Sequence, residues 1–252
     1  MDHSAYIREV PGSDTAVLMM HGIVGTPRHF DMFLPLVPEE WSVYNLLLPG
    51  HGGTTVQFGQ SSMKAWQAHA METFDKLCGM YRRILLVGHS MGSLFAVRMA
   101  LKRPEKVCAL FLLAVPLTVV MKPVMAVNAL RVSFGLVKET NPRLVASRDA
   151  CGVETTLRLW QYLGWIPRFL ELFQEIHRVK PYLLDLTVPT QAFQSRQDEL
   201  VSRRSTAILR KNAYVQVTEL PGAAHYYYPE ADRKQMLTAF RSICEEQCDG
   251  HV

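Results

Sequence analysis

Short apolar runs that alternate with longer helical patterns constrain this chain more than any other feature of its sequence. The runs are Ala16–Met20, Ser42–Leu48, Ile84–Gly88, Val107–Leu113, Thr190–Gln194 and Val215–Leu220. Several are apolar at nearly every position, as strands covered on both faces must be. Tyr6–Val10 can add an edge strand. Apolar residues recur at helical spacing over Met63–Met80, Ser90–Lys102, Leu200–Lys211 and Ala231–Glu245. Thr26-Pro27 has the form of a helix cap followed by a first-turn proline, and Pro104 stops the helix ending near Lys102. This alternation predicts an α/β chain with a mostly parallel central sheet flanked by helices.

One region departs from the alternation. From Leu117 to Leu186 no strand pattern stands out, and helical patterns run over Val124–Val137, Glu154–Trp165 and Pro167–Val179. The chain leaves the sheet and returns to it, so residues 117–186 read as a helical cap inserted within a single domain of residues 1–252. Its large apolar residues (Met121, Met125, Phe134, Trp160, Tyr162, Trp165, Phe169 and Phe173) serve mostly to glue a cap to a core, with some left to line a site for an apolar group. Arg131, Arg143, Arg148, Arg158 and Arg168 read as its solvated face.

Composition narrows the function classes. With 252 residues, 48% of them hydrophobic, the chain can bury one large core. The net charge of +4 is small and no Lys/Arg block stands out, so a nucleic-acid partner is not expected. The N-terminal MDHSAYIREVPG has no apolar signal-peptide core. The most apolar stretch, Val107–Met121, is shorter than the about 20 residues a membrane span needs, and Pro116 interrupts it. The five cysteines are scattered, and Cys244 and Cys248 have no second Cys/His pair to complete a zinc site. Reduced thiols and a cytoplasmic location are the simplest expectation. Oligomeric state stays open.

Chemistry concentrates where the run ILLVGHSMGS ends. Gly88-His89-Ser90-Met91-Gly92 places a serine between small residues, directly after a predicted strand and before a predicted helix. That is the setting of a nucleophile elbow: a turn so tight that the serine backbone is strained, with Oγ exposed at a helix N-terminus. Three further features follow in order. HGIVGTP (21–27) follows the run Ala16–Met20, and its backbone can place the Ile23 N–H beside that of Met91 as an oxyanion site; His21 itself reads as structural. Asp198, in QSRQDELV, follows the run Thr190–Gln194 and can face a histidine or cap a helix starting near Leu200; Glu199 and Asp185 remain alternative acids. His225, in LPGAAH, lies beyond the last apolar run and before the final helix. Ser90, Asp198 and His225 then stand in the order serine, acid, histidine.

The set HGIVGTP, LPGHGG (48–53), GHSMGS (88–93), the aspartate of SRQDELV and the histidine of PGAAH resembles the α/β-hydrolase superfamily, most of all its bacterial carboxylesterase and monoacylglycerol lipase group. The resemblance covers nearly the whole chain. It departs at Ser93, where many relatives carry a second glycine, and at Ala223-Ala224, where many carry serine-glycine. It implies an α/β-hydrolase fold and a serine carboxylesterase acting on short- or medium-chain acyl esters or monoacylglycerols. In that reading Ser90, His225 and Asp198 do the chemistry, Ile23 and Met91 supply oxyanion N–H groups, and no cofactor or metal takes part. The partner is a small-molecule ester with an apolar acyl group. A serine in the elbow speaks against dehalogenases and epoxide hydrolases, whose elbow carries aspartate. Thioesterase, amidase, carbon–carbon hydrolase and acyltransfer activities remain alternatives, as does a non-catalytic ligand receptor. His51 and His89 read as structural.

Overall fold

The computed structural model describes residues 3–120 and 122–248. Its centre is a seven-stranded sheet of β1 (Tyr6–Arg8), β2 (Thr15–Met20), β3 (Ser42–Leu46), β4 (Arg83–His89), β5 (Val107–Leu113), β6 (Thr190–Ser195) and β7 (Val215–Leu220), in the order β1-β3-β2-β4-β5-β6-β7. β1 pairs antiparallel with β3 at the edge, and every other pairing is parallel. The apolar runs locate these strands to within a residue or two; β2 to β5, covered on both faces, have almost nowhere to put polar side chains, whereas the edge strands β1 and β7 are partly exposed.

Successive side chains on each strand point to opposite faces, and two cores result. Ala16, Leu18 and Met20 of β2, with Ile84 and Leu86 of β4, join one core. Val17 and Met19, with Leu85 and Val87, join the other. The first core is closed by α1 (Thr55–Gln60), α2 (Met63–Met80) and α3 (Met91–Lys102), through buried Phe58, Trp66, Phe74 and Leu94. The second is closed by Phe30, Phe33 and Trp41 before β3 and, from the last helix of the chain, by Met236 and Phe240.

Between β5 and β6 the chain forms α4 (Pro123–Ser133), α5 (Pro142–Asp149) and α6 (Trp165–Val179), followed by α7 (Arg204–Leu209) before β7 and α8 (Glu230–Ile243) after it. Trp165, Phe169 and Phe173 pack against the first core, whereas Phe134 and Trp160 are exposed. Met121 lies outside the described residues, as does the side chain of Met125. Arg168 is not part of a solvated face: it pairs with Glu171 at 2.6 Å and its side chain is only 13% exposed.

Several expectations are corrected. Glu154–Trp165 is not a helix. Gly152 donates its N–H to the Val24 carbonyl and accepts from the Gly52 N–H, and Glu154 bridges to Thr54, so this stretch is drawn out across two loops. A 3-10 turn over Leu159–Gly164 follows. The helix expected over Leu200–Lys211 shrinks to α7, because Val201 is extended and bridges to Val119. Pro27 opens a 3-10 turn, Pro27–Phe30, and the Thr26 hydroxyl bonds to His3 rather than capping it. The thiols are not all reduced: Cys108 is disulfide-bonded, while Cys78 and Cys151 are free. The cysteines therefore give no ground for a cytoplasmic location. Among the described residues no helix is long and apolar enough to cross a membrane.

Candidate active site

Ser90 sits between the end of β4 and the start of α3 with φ 51° and ψ −118°, a conformation that L-residues rarely adopt. Its neighbours show why the strain holds. A Cβ on Gly88 would come within 2.7 Å of the Ser93 backbone, and one on Gly92 would overlap the Met20 carbonyl oxygen. Only glycines let α3 approach the sheet this closely. The Ser90 N–H donates to the Leu113 carbonyl at 2.9 Å, which pins the turn to β5. Ser93 adds to this pinning: its hydroxyl reaches the carbonyls of Gly88 (3.0 Å) and Leu113 (3.2 Å).

Asp198 lies past β6. Its Oδ1 accepts the N–H groups of Leu200 and Val201, both at 2.8 Å. No helix begins at Leu200, so Asp198 is not a helix cap; its two N–H bonds hold the bend after β6 while the same carboxylate faces a histidine. The same side chain accepts from His225 Nδ1, at 2.9 Å to Oδ2 and 3.1 Å to Oδ1. A carboxylate can only accept, so the proton sits on Nδ1 and the lone pair of the neutral ring sits on Nε2. Burial works to raise the Asp198 carboxyl, but the charge and hydrogen bond of His225 and the N–H groups of Val201 and Leu200 outweigh it. The group titrates below the ordinary carboxylate value.

The structure brings Asp198 and His225 into direct contact, and it is His89, the residue before Ser90, that reaches the same histidine. The His89 Nε2–H donates to the His225 carbonyl at 3.1 Å, and the two rings lie 4.9 Å apart. Ser90, Asp198 and His225 are only 5%, 3% and 2% exposed, so the cluster is roofed over. The Gly22-Ile23 turn lies alongside: a Cβ on Gly22 would touch the Ser90 Cβ at 3.0 Å. Ile23 and Met91 are both buried there. Of the alternative acids, Glu199 accepts the His225 backbone N–H at 3.2 Å rather than its ring, and Asp185 is exposed at the end of the turn Lys180–Asp185.

A family model described as the alpha/beta hydrolase family matches residues 17–237. The chain belongs to the alpha/beta hydrolase family. It is 26% identical to monoacylglycerol lipase abhd6-A of Xenopus laevis, over 93% of this chain and 77% of that protein. It is 30% identical to fluoroacetate dehalogenase of Burkholderia sp. over 115 residues, a match spanning 38% of that protein's length. Among solved structures it resembles a metagenome-derived lipolytic enzyme (TM-score 0.74, 17% identity, covering 97% of this chain and 98% of the other). It also resembles the monoacylglycerol lipase of Paleococcus ferrophilus (TM-score 0.68, 18% identity, 97% and 99%).

Around the elbow of this alpha/beta hydrolase lie further histidines, each held by its own partners. His21 bonds the Gly22 carbonyl through Nδ1 at 2.8 Å and accepts the Leu48 N–H on Nε2 at 3.1 Å. Both ring nitrogens are used by the neutral form, and burial lowers its pKa to about 4. His51 is edge-on to His21 at 4.7 Å, and burial pushes it well below the ordinary histidine value. His89 is depressed likewise, by burial first and then by His29 and His225. His29 stacks on His89 with centroids 3.9 Å apart, and burial with the neighbouring histidines brings it to about 3. The sequence gives no sign of the His29 contact. It arises because residues 27–30 cross the sheet end beside the elbow, and no local period marks such a crossing.

Proposed function

We propose that this protein is a serine hydrolase that cleaves carboxylic esters through an acyl-enzyme on Ser90. The substrates are short- or medium-chain acyl esters or monoacylglycerols. The observation that carries the reading is the strained Ser90 elbow beside a His225 ring held by Asp198. The resemblance to lipolytic enzymes supports it.

In this reading Ser90 Oγ attacks the ester carbonyl carbon while His225 Nε2 takes the hydroxyl proton. Asp198 keeps the proton of the neutral ring on Nδ1 and stabilises the imidazolium that forms. The N–H groups of Ile23 and Met91 hold the oxyanion, each such donor contributing about 2.7–4 kcal/mol where one has been removed. The imidazolium then gives its proton to the departing alkoxide. Water attacks the acyl-enzyme with His225 as base, releasing the acid and restoring Ser90. Residues 117–186 act as the cap of a single-domain enzyme.

The test is Ser90→Ala, measured on p-nitrophenyl esters of increasing chain length and on monoacylglycerols, with a fluorophosphonate probe. The variant is expected to keep its circular dichroism spectrum, lose labelling and lose activity by about 10³-fold or more. Aryl ester turnover near that of the wild type in this variant would sink the mechanism.

A further inference from the structure

His225 is held at more than its ring. Its backbone N–H donates to Glu199 Oε2 at 3.2 Å. Its carbonyl accepts from His89 Nε2 at 3.1 Å, and the Tyr228 hydroxyl approaches the same oxygen at 3.5 Å. The stretch PGAAH lies on a loop whose alanines are tied by backbone bonds, the Ala223 carbonyl accepting the Gln197 N–H at 3.1 Å and the Ala224 N–H donating to the Tyr227 carbonyl at 2.8 Å, but these bonds hold the residues before His225 rather than His225 itself. Both backbone groups of His225 are instead bound by side chains from the two segments it must meet. Glu199 follows Asp198, and His89 precedes Ser90.

We propose that Glu199 and His89 are positioning residues that clamp the backbone of His225 and so set its ring between Ser90 and Asp198. The inference rests on the proposed role of His225. The physical case is one of register. A ring on a loop shifts with its backbone, and a displacement of about 1 Å at a reacting group can cost about 100-fold in rate. Asp198 constrains one ring nitrogen and the bonds at Ala223 and Ala224 hold the loop just before it, which leaves the peptide groups of His225 itself able to pivot. Two further bonds, one from each side, remove the pivot. His89 suits this duty because it is 1% exposed and its ring is packed between those of His29 and His225. Glu199 is not a spare acid in this arrangement, since its carboxylate faces the main chain of His225.

The experiment measures kcat and KM for p-nitrophenyl butyrate in the full chain carrying Glu199→Ala, Glu199→Gln, His89→Leu or His89→Gln. The downfield proton resonance of His225 Nδ1–H is recorded for each. Glu199→Ala and His89→Leu are expected to lower kcat by about 100-fold with the resonance broadened or shifted. KM should stay within about threefold, as expected when ground-state binding is untouched. The Gln variants should recover most of kcat, because the amide oxygen still accepts the His225 N–H and the amide N–H still reaches its carbonyl. A kcat for Glu199→Ala within about threefold of wild type overturns the proposal, and so does a Glu199→Gln variant as impaired as Glu199→Ala. If His89→Leu fails to fold, the half-buried Glu199 pair decides. If the wild type hydrolyses no ester, the proposed function falls and the resonance decides: perturbation by Glu199→Ala supports the clamp, and an unchanged signal overturns it.

Discussion

At the scale of single residues, Asp198 does two things with one carboxylate, and that makes its substitution informative. In Asp198→Asn the amide oxygen keeps the N–H groups of Leu200 and Val201, which leaves the NH₂ group facing His225 Nδ1. An NH₂ group can only donate there, so the imidazole proton moves to Nε2, the nitrogen that must accept from Ser90. The expected result is a folded protein with kcat for aryl esters lower by about 10⁴-fold. A modest drop would detach Asp198 from the chemistry. Ser93, the departure from the common glycine, earns a separate prediction. Its hydroxyl ties α3 to β4 and β5, so Ser93→Ala should cost about 1 kcal/mol in urea unfolding. Unchanged stability would show that those two bonds contribute nothing net.

At the scale of elements, α6 is fastened to α3 by an ion pair with unequal partners. Glu175 is fully buried on α6, and Arg98 of α3 donates to it at 2.9 Å while remaining partly exposed. The second carboxylate oxygen, Oε2, has no hydrogen-bond partner. Removing Arg98 leaves the buried carboxylate with only the looser ion pair to Arg178, 3.9 Å from Oε2, whereas removing the carboxylate leaves an arginine that can reach water. Arg98→Ala should therefore destabilise by about 3 kcal/mol, and Glu175→Met by clearly less. Equal losses in chemical denaturation would refute this asymmetry. The same pair links the proposed cap to the helix that begins after Ser90, so both variants are also informative about access to the site.

At the scale of the whole molecule, the buried histidines govern behaviour in acid. His21, His51 and His89 are kept neutral by burial, with pKa values below the ordinary histidine value. Below about pH 6.5 the unfolded chain takes up protons that the folded one refuses, so stability falls as pH falls. Each histidine contributes a slope of up to about 1.4 kcal/mol per pH unit; for His21 the fall ends near its folded pKa of about 4. Asp198 acts later. Its folded pKa is depressed, so its stabilisation is present above the ordinary carboxylate value and is lost only as pH drops through the lower folded one. Urea midpoints at pH 7, 6 and 5 should decline progressively. A flat midpoint across that range would mean that these imidazoles are accessible to protons in the folded state.

The strands were readable from sequence because burial on both faces leaves a local mark. Val107–Leu113 coincides with the buried β5, Val215–Leu220 coincides with the edge strand β7 although its middle is only partly buried, and Met63–Met80 coincides with α2. The elbow was readable too, since its glycines answer to contacts within a few residues of Ser90, apart from the close approach to Met20. The order of the sheet, the shortening of Leu200–Lys211 to α7 and the drawing out of residues 151–154 were not readable, because partners distant in the chain decide them. The contact of His225 with Asp198, Glu199 and His89 belongs to the same class. The sequence by itself determined which residue types stand at the ends of which strands. Only the tertiary structure decided which of them touch, because hydrogen bonds between segments far apart in the chain depend on how the sheet and loops pack, and no local period encodes that.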